Sequence, residues 1–311
     1  MEKQLTLASS PHIHSGRSTS RIMLDVILAL CPAAIAGVVI FGWRALLVLA
    51  VTVVSCVAFE ALFNLIVKKE QTIGDFSAVV TGLLLGMNLP ANIPIWQCVI
   101  GALFAMVIVK GLFGGLGNNP VNPAITARVF MLVAFGSMTK AAFPTIVDSV
   151  AGATPLALGT GQTPYTLLDL FLGTTGGAIG ETCAAALLLG GIYLIIRRVI
   201  TWQIPVAFIG TVFVCSFFME GFNMLAALSL ILSGGLFIGA IFMATDYVTS
   251  PVTAWGKIIF GVGAGLITFL IRYFGTYPEG VSFAILFMNI LTPYINSWTK
   301  HKVFGTGGEK Q

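Results

Sequence analysis

The chain has 311 residues, of which 57% are hydrophobic, only 9% are charged and 35 are glycine. Soluble domains carry about 25% charged residues, so 16 Lys plus Arg and 12 Asp plus Glu cannot solvate a globular surface of this size, and a water-soluble fold is excluded. A net charge of +4 with no basic stripe leaves no footprint for nucleic acid.

Residues 1–21 form a polar lead. Its His12 and His14 have no Cys or carboxylate at ligand spacing, so they read as part of a segment that lies on membrane lipid or touches a partner. The first apolar run, 22–41, has the ~20 residues a spanning helix needs. No small-residue cleavage site follows it, which predicts an anchor and not a removable signal. Further spans are predicted at 45–67, 78–90, 95–113, 123–138, 177–196, 204–220, 225–245, 256–274 and 281–297, making an all-α polytopic protein of ten transmembrane helices. Cys31, Cys56, Cys98, Cys183 and Cys215 each stand alone in an apolar segment and read as packing residues.

Loop cations test this count, because they should collect on the cytoplasmic side. With both termini cytoplasmic, Lys3, Arg17, Arg21, Lys68, Lys69, Lys110, Arg197, Arg198, Lys257, Lys300, Lys302 and Lys310 fall inside, against Arg44, Lys140 and Arg272 outside. Arg128 sits within a span.

The chain also resembles itself at a separation of 153 to 160 residues. Thr81-Gly82-Leu-Leu-Leu-Gly86 returns as Gly234-Gly235-Leu-Phe-Ile-Gly239, Phe59-Glu60 as Met219-Glu220, and Val121–Ile125 as Val281–Ile285. Five spans per half is an odd number, so the second half enters from the opposite face and the repeat is inverted, 5+5. The third and fifth helices of each half are expected to be short or broken, at Asn88-Leu-Pro90, Asn122-Pro123, Asp246 and Pro278-Glu279-Gly280. Such breaks point to a ligand or ion site near the midplane. The alternative is that Gly-x-x-x-Gly pairs simply pack helices closely. The resulting division is a lead at 1–21, a first repeat at 22–138, an extracytoplasmic loop at 139–176, a second repeat at 177–297 and a cytoplasmic tail at 298–311.

The long loop contains Gly152-Ala153-Thr154-Pro155, where two small residues leave the Thr154 hydroxyl sterically open. By residue type alone this is an accessible threonine or an ordinary turn. Gly111–Gly117 follows no strand, so a dinucleotide fold is not indicated. Asn118, Asn119 and Asn122 read instead as amides available to a ligand edge, with Asn122 also an N-cap before Pro123. Arg128 is costly inside a membrane and should find a carboxylate or a cofactor. Glu60, Glu181, Glu220 and Asp25 are similarly costly, and read either as an ion pathway or as helix-to-helix pairing. Asp246, with Thr245 and Thr249, is the repeat counterpart of the Asn88–Pro94 turn.

Taken together, Ser10-Pro-His12-Ile-His14-Ser15, Gly114-Gly-Leu-Gly-Asn118-Asn119-Pro-Val-Asn122-Pro123, Gly152-Ala153-Thr154 and Met243-Ala-Thr245-Asp246 with Ser250-Pro251 resemble the D subunits of Rnf ion-translocating oxidoreductases. They also resemble the B subunits of sodium-pumping NADH:quinone oxidoreductases, and the short lead favours the Rnf type. The resemblance covers essentially the whole chain. It implies FMN joined through its phosphate to Thr154 by a separate flavin transferase, and admits a riboflavin as well. Where the family often has Ser before Gly-Ala-Thr, this chain has Ala151. The resemblance further implies a bacterial inner-membrane subunit, extracytoplasmic at Thr154, working beside a second flavin subunit and iron–sulfur subunits. The complex would move electrons between ferredoxin and NAD⁺ and couple them to Na⁺ or H⁺ transport. Thr245, Asp246 and Thr249 are then expected near a flavin. A small-solute channel or transporter without a cofactor would share the inverted repeat but leaves the Gly-Ala-Thr loop unexplained.

Overall fold

The computed structural model describes residues 18–139, 142–144, 154–158, 165–275 and 279–300. Its regular structure is helical; among the described residues the extended pairing is confined to one isolated bridge, Ala142–Gly177.

Helix α1 (Thr19–Phe41) starts where the Ser18 side chain accepts the Arg21 backbone N–H. It ends at Gly42, whose φ of 75° lets the chain turn straight into α2 (Trp43–Val67). Then follow α3 (Ser77–Met87), α4 (Ile95–Leu103), which passes into a π-helix over Phe104–Gly111, and α5 (Pro123–Ala134). Two short helices, α6 (Pro155–Leu158) and α7 (Leu167–Leu172), precede α8 (Ala184–Ile196) and α9 (Gln203–Met219). The chain closes with α10 (Met224–Leu232), α11 (Leu236–Ile238) extended by a π-helix over Gly239–Met243, α12 (Ala254–Phe274) and α13 (Val281–Trp298).

By length and composition α1, α2 and α12 can each cross a membrane, as can α10 and extended α11 taken together, although that pair is bent by 67°. Apolar side chains such as Ile35, Val54, Leu65, Leu189 and Val206 face outward, which suits lipid and not water. Where helices meet, small residues allow close approach. A Cβ on Gly82 would lie 2.7 Å from the Val53 Cα of α2, and one on Gly261 or Gly265 would lie 3.0 Å from a carbonyl of α9. This is a multi-pass membrane protein.

Helices occupy the stretches expected to span, with four differences. The 177–196 segment becomes helical only at Ala184, because residues 177–183 dock on the end of α3: Ile179 N–H donates to Leu89 O at 3.1 Å and Gly180 N–H to Met87 O at 2.7 Å. The 123–138 segment leaves α-helix after Ala134. α4 is interrupted by a π-helix that no sequence signal announced. The fifth helix of the second half is neither short nor broken: α13 is continuous over 18 residues despite Pro293. α3 and α5 are short as expected, at 11 and 12 residues. At 1.5 Å per residue each covers less than about 20 Å, well under a ~30 Å hydrocarbon core.

Candidate cofactor and ion sites

The ends of these short helices meet around Met243. Asn88, at the end of α3, donates its amide to the Met243 sulfur at 3.4 Å, and Asn122, at the start of α5, donates to the Met243 carbonyl at 3.3 Å. The Asn122 side chain also caps α5, accepting from Ala124 N–H at 3.0 Å and Ile125 N–H at 3.4 Å. Expecting Asn122 to be both a cap and a site residue therefore involves no conflict, since its oxygen and nitrogen do different work.

One turn into α5, buried Arg128 is held by three groups: it donates to Asn88 Oδ1, Glu181 Oε1 and Glu279 Oε2. The partners come from the end of α3, the turn before α8 and the turn before α13, so one guanidinium ties four segments together. Above it is a cavity of about 130 Å³ whose lining includes Asn88, Arg128, Thr154, Glu181, Gly234 and Glu279. Thr154 is half-buried at this site and begins the turn into α6. Gly152 and Ala153 lie outside the described residues. Burial pushes the Glu279 carboxyl up to about 8, with the charge of Glu181 adding to the rise and that of Arg128 opposing it.

A second pocket, of about 90 Å³, is lined by Ser77, Thr81, Lys110, Asn119, Asn122, Thr245 and Asp246, among others. The expected cofactor residues thus fall into two groups, one around Thr154 and one around Asp246. Asn119 is buried and donates to Val121 O at 3.0 Å, whereas Asn118 is exposed and does not line the pocket. Thr245 turns its hydroxyl back onto Ile241 O at 2.6 Å. Thr249 is buried behind the pocket and donates to Asp246 Oδ2 at 3.1 Å. Burial raises the Asp246 carboxyl above its ordinary range, and the hydrogen bond from Thr249 only partly offsets this.

The four acids expected to mark an ion path are separate. Glu60 lies in α2 and accepts from Lys110 Nζ at 2.6 Å and from Thr72 Oγ1 at 2.9 Å, while its second oxygen is buried without a partner among the described residues. Glu181 belongs to the Arg128 cluster. Glu220 accepts from Tyr273 Oη at 2.7 Å, and Asp25 is matched by Arg197 at 3.2 Å and Tyr193 Oη at 3.0 Å. Of the cations expected in loops, Arg21, Arg44, Lys110, Lys257 and Arg272 lie within helices. Lys110 is buried in the π-helix, where it also reaches Ser77 Oγ at 2.6 Å, because Glu60 makes that position tolerable. Arg272 lies in the last turn of α12 and donates to the carbonyls of Leu230 and Ser233, at 2.8 and 3.1 Å, where α10 breaks. Glu279 and Lys110 are site residues that the sequence pattern does not single out. The signal that could find them is that a buried Arg or Glu in a membrane needs a counter-charge.

The fold and its buried polar junctions define a multi-pass membrane protein with two polar pockets built around interrupted helices. The chain belongs to the NQR2, RnfD, RnfE family, whose model matches residues 6–305. It is 49% identical to the D subunit of the Na⁺-translocating ferredoxin:NAD⁺ oxidoreductase complex of Acetobacterium woodii, over 98% of this chain and 96% of that one. It is 43% identical to the D subunit of the proton-translocating ferredoxin:NAD⁺ oxidoreductase complex of Clostridium ljungdahlii, covering 97% and 96%. It is 38% identical to the D subunit of the ion-translocating oxidoreductase complex of Haemophilus influenzae, covering 98% and 99%.

Proposed function

We propose that this chain is the flavin-carrying membrane subunit of an ion-translocating ferredoxin:NAD⁺ oxidoreductase, with FMN esterified through its phosphate to Thr154. The observation that carries the reading is the position of Thr154 on a polar pocket floored by Arg128, in a chain nearly half identical to the D subunit of such a complex. A cavity of about 130 Å³ is smaller than the ~300–1,000 Å³ of sites that enclose a whole ligand. It suits the phosphate end or one ring edge and leaves the rest of the ring outside, reachable by a partner's cofactor. When bound, the flavin supplies one- or two-electron transfer. The residues of this chain anchor it at Thr154 and set the charge beneath it with Arg128, Glu181 and Glu279.

In this reading the protein crosses a bacterial cell membrane ten times as an inverted 5+5 repeat, with cytoplasmic termini and Thr154 outside. The pockets support it. Asn88, Gly234 and Glu279 line one pocket, and their counterparts Asp246, Thr81 and Asn119, displaced by 158, 153 and 160 residues, line the other. An inverted repeat puts such equivalent sites on opposite faces. The Asp246 pocket, open to the cytoplasmic side and about 90 Å³ in volume, would take one edge of a second, non-covalent flavin such as riboflavin, with Asn119, Asn122 and Thr245 around it. Glu60 and Lys110 are the pair for ion coupling, since a buried carboxylate with one open oxygen can trade its ammonium partner for a cation. Partner subunits hold the ferredoxin and NAD⁺ sites, a further flavin and the iron–sulfur clusters, and a flavin transferase matures Thr154.

The test is a denaturing gel viewed under ultraviolet light, from cells containing the transferase. The wild-type band fluoresces and Thr154→Ala is dark. A dark wild-type band, or a fluorescent Thr154→Ala band, would defeat the assignment.

A further inference from the structure

A third cavity contains none of these polar groups. It is a groove of about 530 Å³ between α8, α9, α10 and the π-helical end of α11, lined by apolar residues including Leu188, Ile195, Val206, Phe213 and Phe237 together with Gly210. A Cβ added at Gly210 would meet nothing within 4 Å, so the groove has room there. Its polar end is marked by charge and aromatic character. Ile200 and Pro205 line it, and Trp202 between them is 56% exposed, as suits a side chain at headgroup depth. Two positions before Ile200 is the exposed Arg198, on a left-handed backbone with φ 54°, and Lys257 Nζ donates to Thr201 Oγ1 at 3.1 Å. Neighbouring Arg197 is matched by Asp25.

Depth separates the possible occupants. From Pro205 to Phe213 the groove follows α9 for about 12 Å of helix rise, close to the ~15 Å of one leaflet in a ~30 Å hydrocarbon core. A partner's transmembrane helix would need a contact surface through the full core, whereas one acyl chain needs half. We propose that this groove binds one acyl chain of an anionic phospholipid, whose headgroup is held at Arg198 and Lys257. The lipid fills the gap that Gly210 leaves beside the broken α10–α11 pair.

The test uses the assembled complex, reconstituted in vesicles of phosphatidylethanolamine and phosphatidylglycerol, extracted in mild detergent and weighed by native mass spectrometry. Gly210→Trp is expected to lose one retained phosphatidylglycerol. The double variant Arg198→Ala/Lys257→Ala leaves the groove lining untouched and keeps the test readable if Gly210→Trp disturbs packing. It should retain a lipid but lose preference for phosphatidylglycerol by about fivefold per cation removed. Unchanged lipid retention in Gly210→Trp, or unchanged preference in the double variant, overturns the proposal. So does efficient cross-linking of Gly210→Cys to another subunit, which would give the groove to a partner helix.

Discussion

The Thr154 and Asp246 pockets are lined in part by residues that the proposed repeat pairs with one another, yet their chemistry differs. Where the first has Glu279, the second has the neutral amide of Asn119, and where the second has Asp246 the first has Asn88. The first therefore concentrates charge: Arg128 touches two carboxylates and an amide. The second is lined mostly by apolar side chains, and its polar residues are amides and hydroxyls together with Asp246 and Lys110. In the proposed repeat, one frame provides two cavities at interrupted helices, and a few residue differences decide which of them holds a charge network. Because Glu181 and Glu279 already engage Arg128, the anionic flavin proposed at the first pocket depends on its covalent tether at Thr154.

Breaking the charge network should have the largest effect. Arg128→Met leaves Glu181 and Glu279 buried against each other, and loss of one partner of a buried pair costs about 3–5 kcal/mol. The expected outcome is a steep fall in thermal stability of the purified complex, partly restored by adding Glu279→Gln. If the double variant is no better than the single one, repulsion between the carboxylates is not the cause. Next comes Lys110→Met, which leaves Thr72 as the one remaining side-chain donor to Glu60 among the described residues. It should destabilise by a similar or smaller amount, while Glu60→Gln, which keeps a polar group there, should chiefly alter the Na⁺ or H⁺ dependence of turnover. Unchanged ion dependence in Glu60→Gln would remove that pair from the coupling path. The smallest effect is expected at the junction between the pockets. Asn122→Ala removes a helix cap worth about 1 kcal/mol and the bond to Met243, lowering the melting temperature by a few degrees without abolishing the flavin proposed at Thr154.

The parts legible in the sequence are those with local causes. α1, α2 and α12 are continuous apolar runs, Gly42 ends a helix where the backbone must turn, and Asn122-Pro123 spells a helix start. The delayed start of α8 is not legible. Residues 177–183 read as the start of a span, but the backbone N–H groups of Ile179 and Gly180 are taken by the end of α3, about 90 residues earlier. The π-helix around Lys110 is hidden for the same reason, since its partner Glu60 is 50 positions away. Glu279 sits in what reads as a turn after Pro278, and only the demand of Arg128 for counter-charge reveals it. Sequence pattern locates the membrane frame and the acids, while the pairing of each charge is a long-range fact.

The central claim is that the two pockets open to opposite faces of the membrane, and intact cells test it directly. With the native cysteines replaced, Thr154→Cys and Asn118→Cys are exposed in turn to a membrane-impermeant maleimide. The account predicts labelling of Thr154→Cys in intact cells, once the outer barrier of the envelope is opened, and labelling of Asn118→Cys only after the inner membrane is permeabilised. Labelling of both from the same side would contradict it.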